Sequence, residues 1–357
     1  NSGNGTLNVA NGTTITLGGF MRVGSDSGNG NVVQNGGMVE VGDYYTMGIS
    51  NSVGTYTLND GTFIAHADFS VNEGNASTAS SFVQNNGIAN ISTTAGTGAF
   101  IGRGGPGSYT VNNGTTTFYR GLRLGEGGTA SVTLNNGTIN TNGYVAQGLG
   151  GGGAAGITTY INVNGGVWNA NGEFTVNESK SVDNFLNQTG GTMNLSGSAI
   201  YIGRSGIGKG VYTITGGTLN SLKGDYFRIA SYHNANTRGE FNVAGGQVNI
   251  GGNGAGEDPN SSLVIAEGNG TGAAVGVVNQ TGGTVTIVPT SPHGVWFGTN
   301  AGAQATYNLN GGTLTTPKID ISGSTAAKAL HFGGGTLRAN ANMIVPAAAN
   351  FTTAINA

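Results

Sequence analysis

The chain contains no cysteine. That absence excludes disulfides, thiolate metal ligands and thiol nucleophiles together, and it suits a chain that is secreted before it folds. Charge is scarce as well: 8% of the residues are Asp, Glu, Lys or Arg, and the formal net charge is −3. With no basic surface to neutralise phosphates, nucleic acid is not an expected partner. No apolar run approaches the roughly 18 residues of a membrane-spanning helix, so no membrane span is expected in this segment. Neither a signal peptide nor an initiating methionine opens the sequence, which therefore reads as a processed or excised piece of a longer chain.

Glycine, by contrast, supplies 70 of the 357 residues, with abundant Asn and Thr beside it. Such a composition is shared with low-complexity disorder. Here, however, apolar residues make up 36% and recur in register, which argues for order. The register is set by a short stretch, YNLNGGTL from Tyr307 to Leu314, whose near-copies recur thirteen times. Aligned on one glycine, the copies fall at Gly12, Gly37, Gly61, Gly87, Gly114, Gly137, Gly166, Gly191, Gly217, Gly246, Gly283, Gly312 and Gly335, spaced 23 to 37 residues apart. A patterned period of roughly 20 to 50 residues signals one repeat array rather than separate globular domains. Residues 1–357 are accordingly expected to form one continuous solenoid, a segment of a longer chain or filament.

Each repeat reads as three short strands. Five residues before the anchor glycine stands an apolar residue in every copy, from Leu7, Val32 and Tyr56 to Tyr212, Tyr307 and Leu330. Three before it the same face usually continues, as at Val9, Leu58, Val111 and Leu309, the period-2 pattern of a half-buried strand. A glycine turn follows, then a second strand with inward candidates such as Val39 and Val41, Met193 and Leu195, and Trp168. The third strand has the form apolar-any-apolar-small, as in Met21 to Gly24, Tyr45 to Gly48, Ile200 to Gly203 and Val295 to Gly298. Three strands per period do not suit hairpins, whose consecutive strands pair; they suit a coil in which each strand pairs with its equivalent one coil along. The expected fold is all-β: a right-handed single-stranded parallel β-helix, or β-solenoid, of about thirteen coils of three short strands. A propeller is the structural alternative, although its blades need about 40 residues and four strands. Length variation is concentrated in the loops: the longest coil contains Gly251 to Asn260, the next carries Pro289 to His293, and Gly148 to Gly156 is a loop of small residues; insertions in solenoids project from one side and often carry function, and plain spacer is the competing reading.

The repeated core, NGGTL, TGGTL or TGGTV after Y-x-L-N or an equivalent strand, resembles the autotransporter-associated β-strand repeats of secreted bacterial passenger proteins, over about Gly5 to Asn340. The resemblance implies a right-handed β-helix displayed outside the cell or on a bacterial surface, as an adhesin, stalk or surface fibre. It carries no shared catalytic residues and no cofactor. The expected function is therefore a non-catalytic structural or adhesive solenoid, a rigid surface rod or fibre subunit. Its expected partners are copies of itself, end to end or laterally, and surface polysaccharide. End-to-end contact is expected because neither Thr6 to Val9 nor the segment after Gly335 shows a capping pattern. A carbohydrate-binding or polysaccharide-degrading β-helix is the alternative.

Candidate chemistry is sparse. GRGGPG, Gly102 to Gly107, matches G-x-G-x-x-G, but a strand follows where a dinucleotide site needs a helix, so no cofactor is expected. Glu257 and Asp258 in GAGED are calcium candidates, against a solvated loop, since a hard cation wants about six oxygens. His66, His233, His293 and His331 lie in different coils with no metal-ligand spacing and read as isolated loop or surface residues. Polysaccharide cleavage needs two carboxyls facing one sugar bond, or a base with cations, and the second strands offer only Glu40; no catalytic residue is assigned. Glu73, Arg103 and Glu126, then Glu178 and Arg204, recur at one place beyond the third strand and predict a surface ion-pair ladder. Gln34, Gln84, Gln188 and Gln280 occupy an otherwise apolar position; each either hydrogen-bonds inside or is turned out by a bulge. The middle residues of the third strands form an outward column, Arg22, Thr46, Ser70, Arg123, Thr175, Tyr201, Arg228, Val264, Trp296 and Asp320. Within it Tyr201, Val264 and Trp296 are the candidate glycan or lateral contact, with scattered exposed aromatics as the alternative.

Overall fold

The computed structural model describes residues 3–74, 77–149, 156–197, 199–223, 226–231, 236–268, 273–322, 325–343 and 345–346, with the backbone alone of 351–355. The chain is an all-β parallel β-solenoid of about 12 turns, without a helix among the described residues. Its residues group into two compact units, Asn1–Asn171 and Gly172–Ala357.

In the first unit a representative coil consists of Gly54–Leu58, Thr62–Ala65 and Phe69–Val71. Every one of these strands pairs in parallel with its counterpart in the preceding coil, Val32 with Tyr56, Val39 with Phe63 and Tyr45 with Phe69. First and second strands share one sheet and third strands make another. The first strand alternates buried and half-buried residues because its apolar side chains point inward and its Thr residues outward. Identical positions therefore stack one strand spacing apart. The rings of Tyr56 and Phe82 lie 4.8 Å apart at 8°, and those of Phe82 and Tyr109 4.8 Å apart at 5°. The anchor glycines permit the turn: Gly61 has φ 91°, and a Cβ there would meet the Gly37 carbonyl oxygen at 2.3 Å. In the first coil the anchor slips by one residue, because Thr14 pairs with Met38 and the Thr13 carbonyl takes the hydrogen bond that Gly37 accepts in the next coil.

The second unit follows the same plan, with Tyr212 beside Phe241 and Ile214 beside Val243. The small residue closing the third strand is a left-handed corner, occupied by Gly203 at φ 81° but also by Ala230 at 57° and Ala266 at 60°. The thirteenth repeat contributes Ala327–Phe332 and Thr336–Ala339 but no third strand among the described residues, so twelve third strands answer to thirteen anchors. Phe351–Ile355 pairs in parallel with Ala327–Phe332 and so extends the first-strand ladder beyond Asn340.

Two polar devices link the coils. Gln34, Gln84, Gln188 and Gln280 all point inward and are fully buried, without a bulge at Gln34, Gln84 or Gln188. The Gln188 Nε2 donates to the carbonyls of Gly191 at 3.3 Å and Thr218 at 3.0 Å, and its Oε1 accepts the Tyr212 hydroxyl at 2.5 Å. Tyr56 on Gln34 (2.5 Å), Tyr109 on Gln84 (3.5 Å) and Tyr307 on Gln280 (2.6 Å) repeat the pairing. On the surface, asparagine ladders run from coil to coil. In the first unit Asn59, Asn85, Asn112, Asn135 and Asn164 each donate to the previous member, beginning at Asn35, over 2.7 to 2.8 Å. In the second, Asn249 donates to Asn220 and Asn220 to Asn194.

Candidate contact face

Charged and aromatic residues gather on the sheet of third strands, and each unit builds the same motif there. In the first unit Phe100 lies between two guanidiniums, Arg103 at 4.3 Å and Arg123 at 5.2 Å from its ring centre. Arg103 pairs with Glu73 at 3.1 Å and Glu126 at 3.9 Å, and Arg123 with Glu126 at 3.2 Å. In the second unit Tyr201 lies between Arg204 at 4.8 Å and Arg228 at 5.4 Å. Arg204 pairs with Glu178 at 3.1 Å and with Glu173, and Arg228 with Glu267 at 2.8 Å. The expected ion-pair ladder is thus present, with aromatic rings threaded through it. Burial works against the charge of Arg204, but Glu178 and Glu173 outweigh it and raise its pKa further. The signal was in the sequence as FIGR and YIGR, each followed one coil later by an arginine in the paired position. Phe100 escaped the outward column because the apolar run Ala99-Phe100-Ile101 hides the alternation.

The column read as outward is largely covered. Thr46, Ser70, Thr175, Tyr201, Val264 and Asp320 are buried, whereas Arg22 is exposed and Trp296 half-buried. Tyr201 retains 8% exposure and Val264 none, so neither presents a free ring or side chain to a ligand. The reason is lateral reach: Val264 stands between Arg228 and Trp296 in the ladder, and the rings of Tyr226 and Trp296 meet edge to face, 6.0 Å apart, across its strand. Trp168, as expected, is fully buried.

What remains on the surface there is a three-ring shelf. The His293 imidazole stacks on the Trp296 indole at 3.8 Å and 12°, and Tyr226 closes the group 6.3 Å from His293. Trp296 Nε1 donates to the Ser322 carbonyl at 3.2 Å, which locks the indole. Asp320 holds the far side: one oxygen takes His293 Nδ1 at 2.7 Å and Lys318 Nζ at 2.8 Å, the other the Ser322 amide at 2.8 Å. Burial opposes ionisation of Asp320, but these hydrogen bonds win and keep its carboxyl well below the usual carboxylate range. Beside it opens a shallow cleft of about 510 Å³ lined by Lys318, Asp320, Ser322, Asn342 and Pro346. The loop Gly251 to Asn260 and the loop that carries Pro289 to His293 meet at this edge, with the Thr290 hydroxyl on the Pro259 carbonyl at 2.7 Å and Ser262 on Ser291 at 2.7 Å.

The three histidines among the described residues are therefore not isolated. His293 belongs to the shelf, His66 bridges Glu40 at 2.9 Å and Thr93 at 2.6 Å, and His331 contacts Asn308 at 2.9 Å. Equal coil geometry brings side chains together that sequence spacing separates. His233 and most of the Gly148 to Gly156 loop lie outside the described residues. Glu257 and Asp258 each spend an oxygen on their own loop, on the Gly254 amide at 2.7 Å and the Asn260 amide at 2.8 Å. No group of three or more His, Asp or Glu placed to hold a metal occurs among the described residues. After Gly102 to Gly107 the chain continues as the strand Gly107–Val111. Compared with known proteins, the chain matches no family model, no curated relative and no solved structure.

Proposed function

We propose that this protein is a non-catalytic, extracellular structural or adhesive β-solenoid of the autotransporter-passenger type, wound right-handedly as parallel crossovers overwhelmingly are. The observation that carries the reading is how the contact face spends its charges. Arg103, Arg123, Arg204 and Arg228 are bound into ion pairs that clamp aromatic rings, an arrangement that stiffens the coil stack rather than aiming an acid and a base at one bond. The ladders also repeat without register shift over most coils, which supports use as a spacer and association through like cross-sections.

Incubation with acidic and neutral polysaccharides should release neither new reducing ends nor unsaturated uronate. Cleavage abolished by one point substitution on the third-strand face would reverse the assignment to an enzyme. Sedimentation over a concentration series should show self-association, and a monodisperse monomer throughout would remove that part of the reading.

A further inference from the structure

We infer that Tyr226, His293 and Trp296 form a stacking subsite for a neutral pyranose ring of a surface polysaccharide. The inference rests on the adhesive reading above and adds the place and the ligand class. Sugar rings present C–H faces to aromatic groups and hydroxyls to polar ones, and the shelf offers both. Its apolar part is the stacked His293–Trp296 pair with Tyr226 beside it. The indole is held by Ser322 and the imidazole by Asp320, so little side-chain freedom remains to be lost on binding.

The polar part is unspent. Asp320 engages Nδ1, and Nε2, with no partner among the described residues, is left for a sugar hydroxyl. The Tyr226 hydroxyl likewise makes no bond there. A neutral ligand follows from the charges: Arg228 is matched by Glu267 at 2.8 Å and Lys318 by Asp320 at 2.8 Å. Among the described residues of the shelf no unpaired cation calls for a uronate or phosphate, and no unpaired carboxylate calls for an amino sugar. The insertion loops that meet through Thr290 and Pro259 bring in His293, so this part of the solenoid departs from the plain coil plan where the rings gather.

The test is a titration of the intact chain with β-1,4- and β-1,3-glucohexaose, mannohexaose and galactohexaose, with polygalacturonate as the charged control. Of the two tryptophans Trp168 is fully buried, so a fluorescence change on binding reports Trp296 in the unsubstituted chain, and titration calorimetry reads the affinity of every variant, including those without that indole. At least one neutral oligosaccharide should bind, about tenfold more weakly to Trp296→Ala and to Tyr226→Ala, while Trp296→Phe keeps most of the affinity. Phe20→Ala and Tyr44→Ala, which remove exposed aromatics in the first unit, should leave it unchanged. Circular dichroism of each variant separates lost binding from lost folding. Binding that survives Trp296→Ala, binding of polygalacturonate alone, or no binding across the neutral panel overturns the inference. Chain cleavage in the same mixtures would instead overturn the non-catalytic reading, so the two failures are distinguishable.

Discussion

Gln188 is a polar side chain in an apolar column, and its hydrogen bonds explain why the column tolerates it. The carbonyls of Gly191 and of Thr218 one coil along accept its amide protons, and its oxygen accepts the Tyr212 hydroxyl, so this side chain leaves no buried polar group stranded. Tyr212→Phe removes one bond and should cost about 1–2 kcal/mol in urea unfolding, because Gln188 Oε1 is left dry. Tyr212→Asp should not fold, since a buried charge there has no partner. The same burial pushes the phenols of Tyr45, Tyr56, Tyr109, Tyr212 and Tyr307 above their ordinary value. The unfolded chain then gives up these protons before the folded one does. Folding stability should accordingly hold below about pH 10 and fall as the pH rises beyond it. An absorbance titration should show these five tyrosines ionising only as the protein unfolds; reversible ionisation in the folded state would contradict their burial.

At the scale of the element, the asparagine ladder has a direction. Asn112 donates to Asn85 and accepts from Asn135, so each member between Asn35 and Asn164 is donor on one side and acceptor on the other. Asn112→Ala deletes two exposed bonds and should cost about 1 kcal/mol. Asn112→Asp should cost more at neutral pH than in acid, because a carboxylate facing the Asn85 oxygen replaces a donor by a charge. Equal midpoints for the two variants across pH would show that the ladder carries no directional energy. The ion-pair clusters beside it are partly solvated, and Arg103→Ala should cost no more than about 1 kcal/mol.

At the scale of the molecule, each coil touches chiefly its neighbours, so stability is assembled from local terms. Gly61→Ala places a methyl group where the Gly37 carbonyl stands, at a backbone angle that alanine resists. Hydrogen exchange should accelerate in Gly30–Gln34, Gly54–Leu58 and Ser80–Gln84 while Ala130–Leu134 in the same unit keeps its protection. Uniform acceleration would mean that the unit unfolds as a single block.

The sequence by itself determined the period, the parallel pairing, the inward column through Tyr56 and Tyr212, and the alternation of Glu73, Arg103 and Glu126. These follow from spacing alone, because a repeat of nearly constant length stacks like on like. It left the glutamines open between two orientations, and the tyrosine one coil along from each was the unread clue. Only the tertiary structure decided that Val264 is covered, that His293 meets Asp320 across 27 residues, and that Tyr226 reaches Trp296. Those contacts depend on how far long side chains lean across a strand and on the path of loops of unequal length. Neither quantity is carried by a two-residue or a coil-length period.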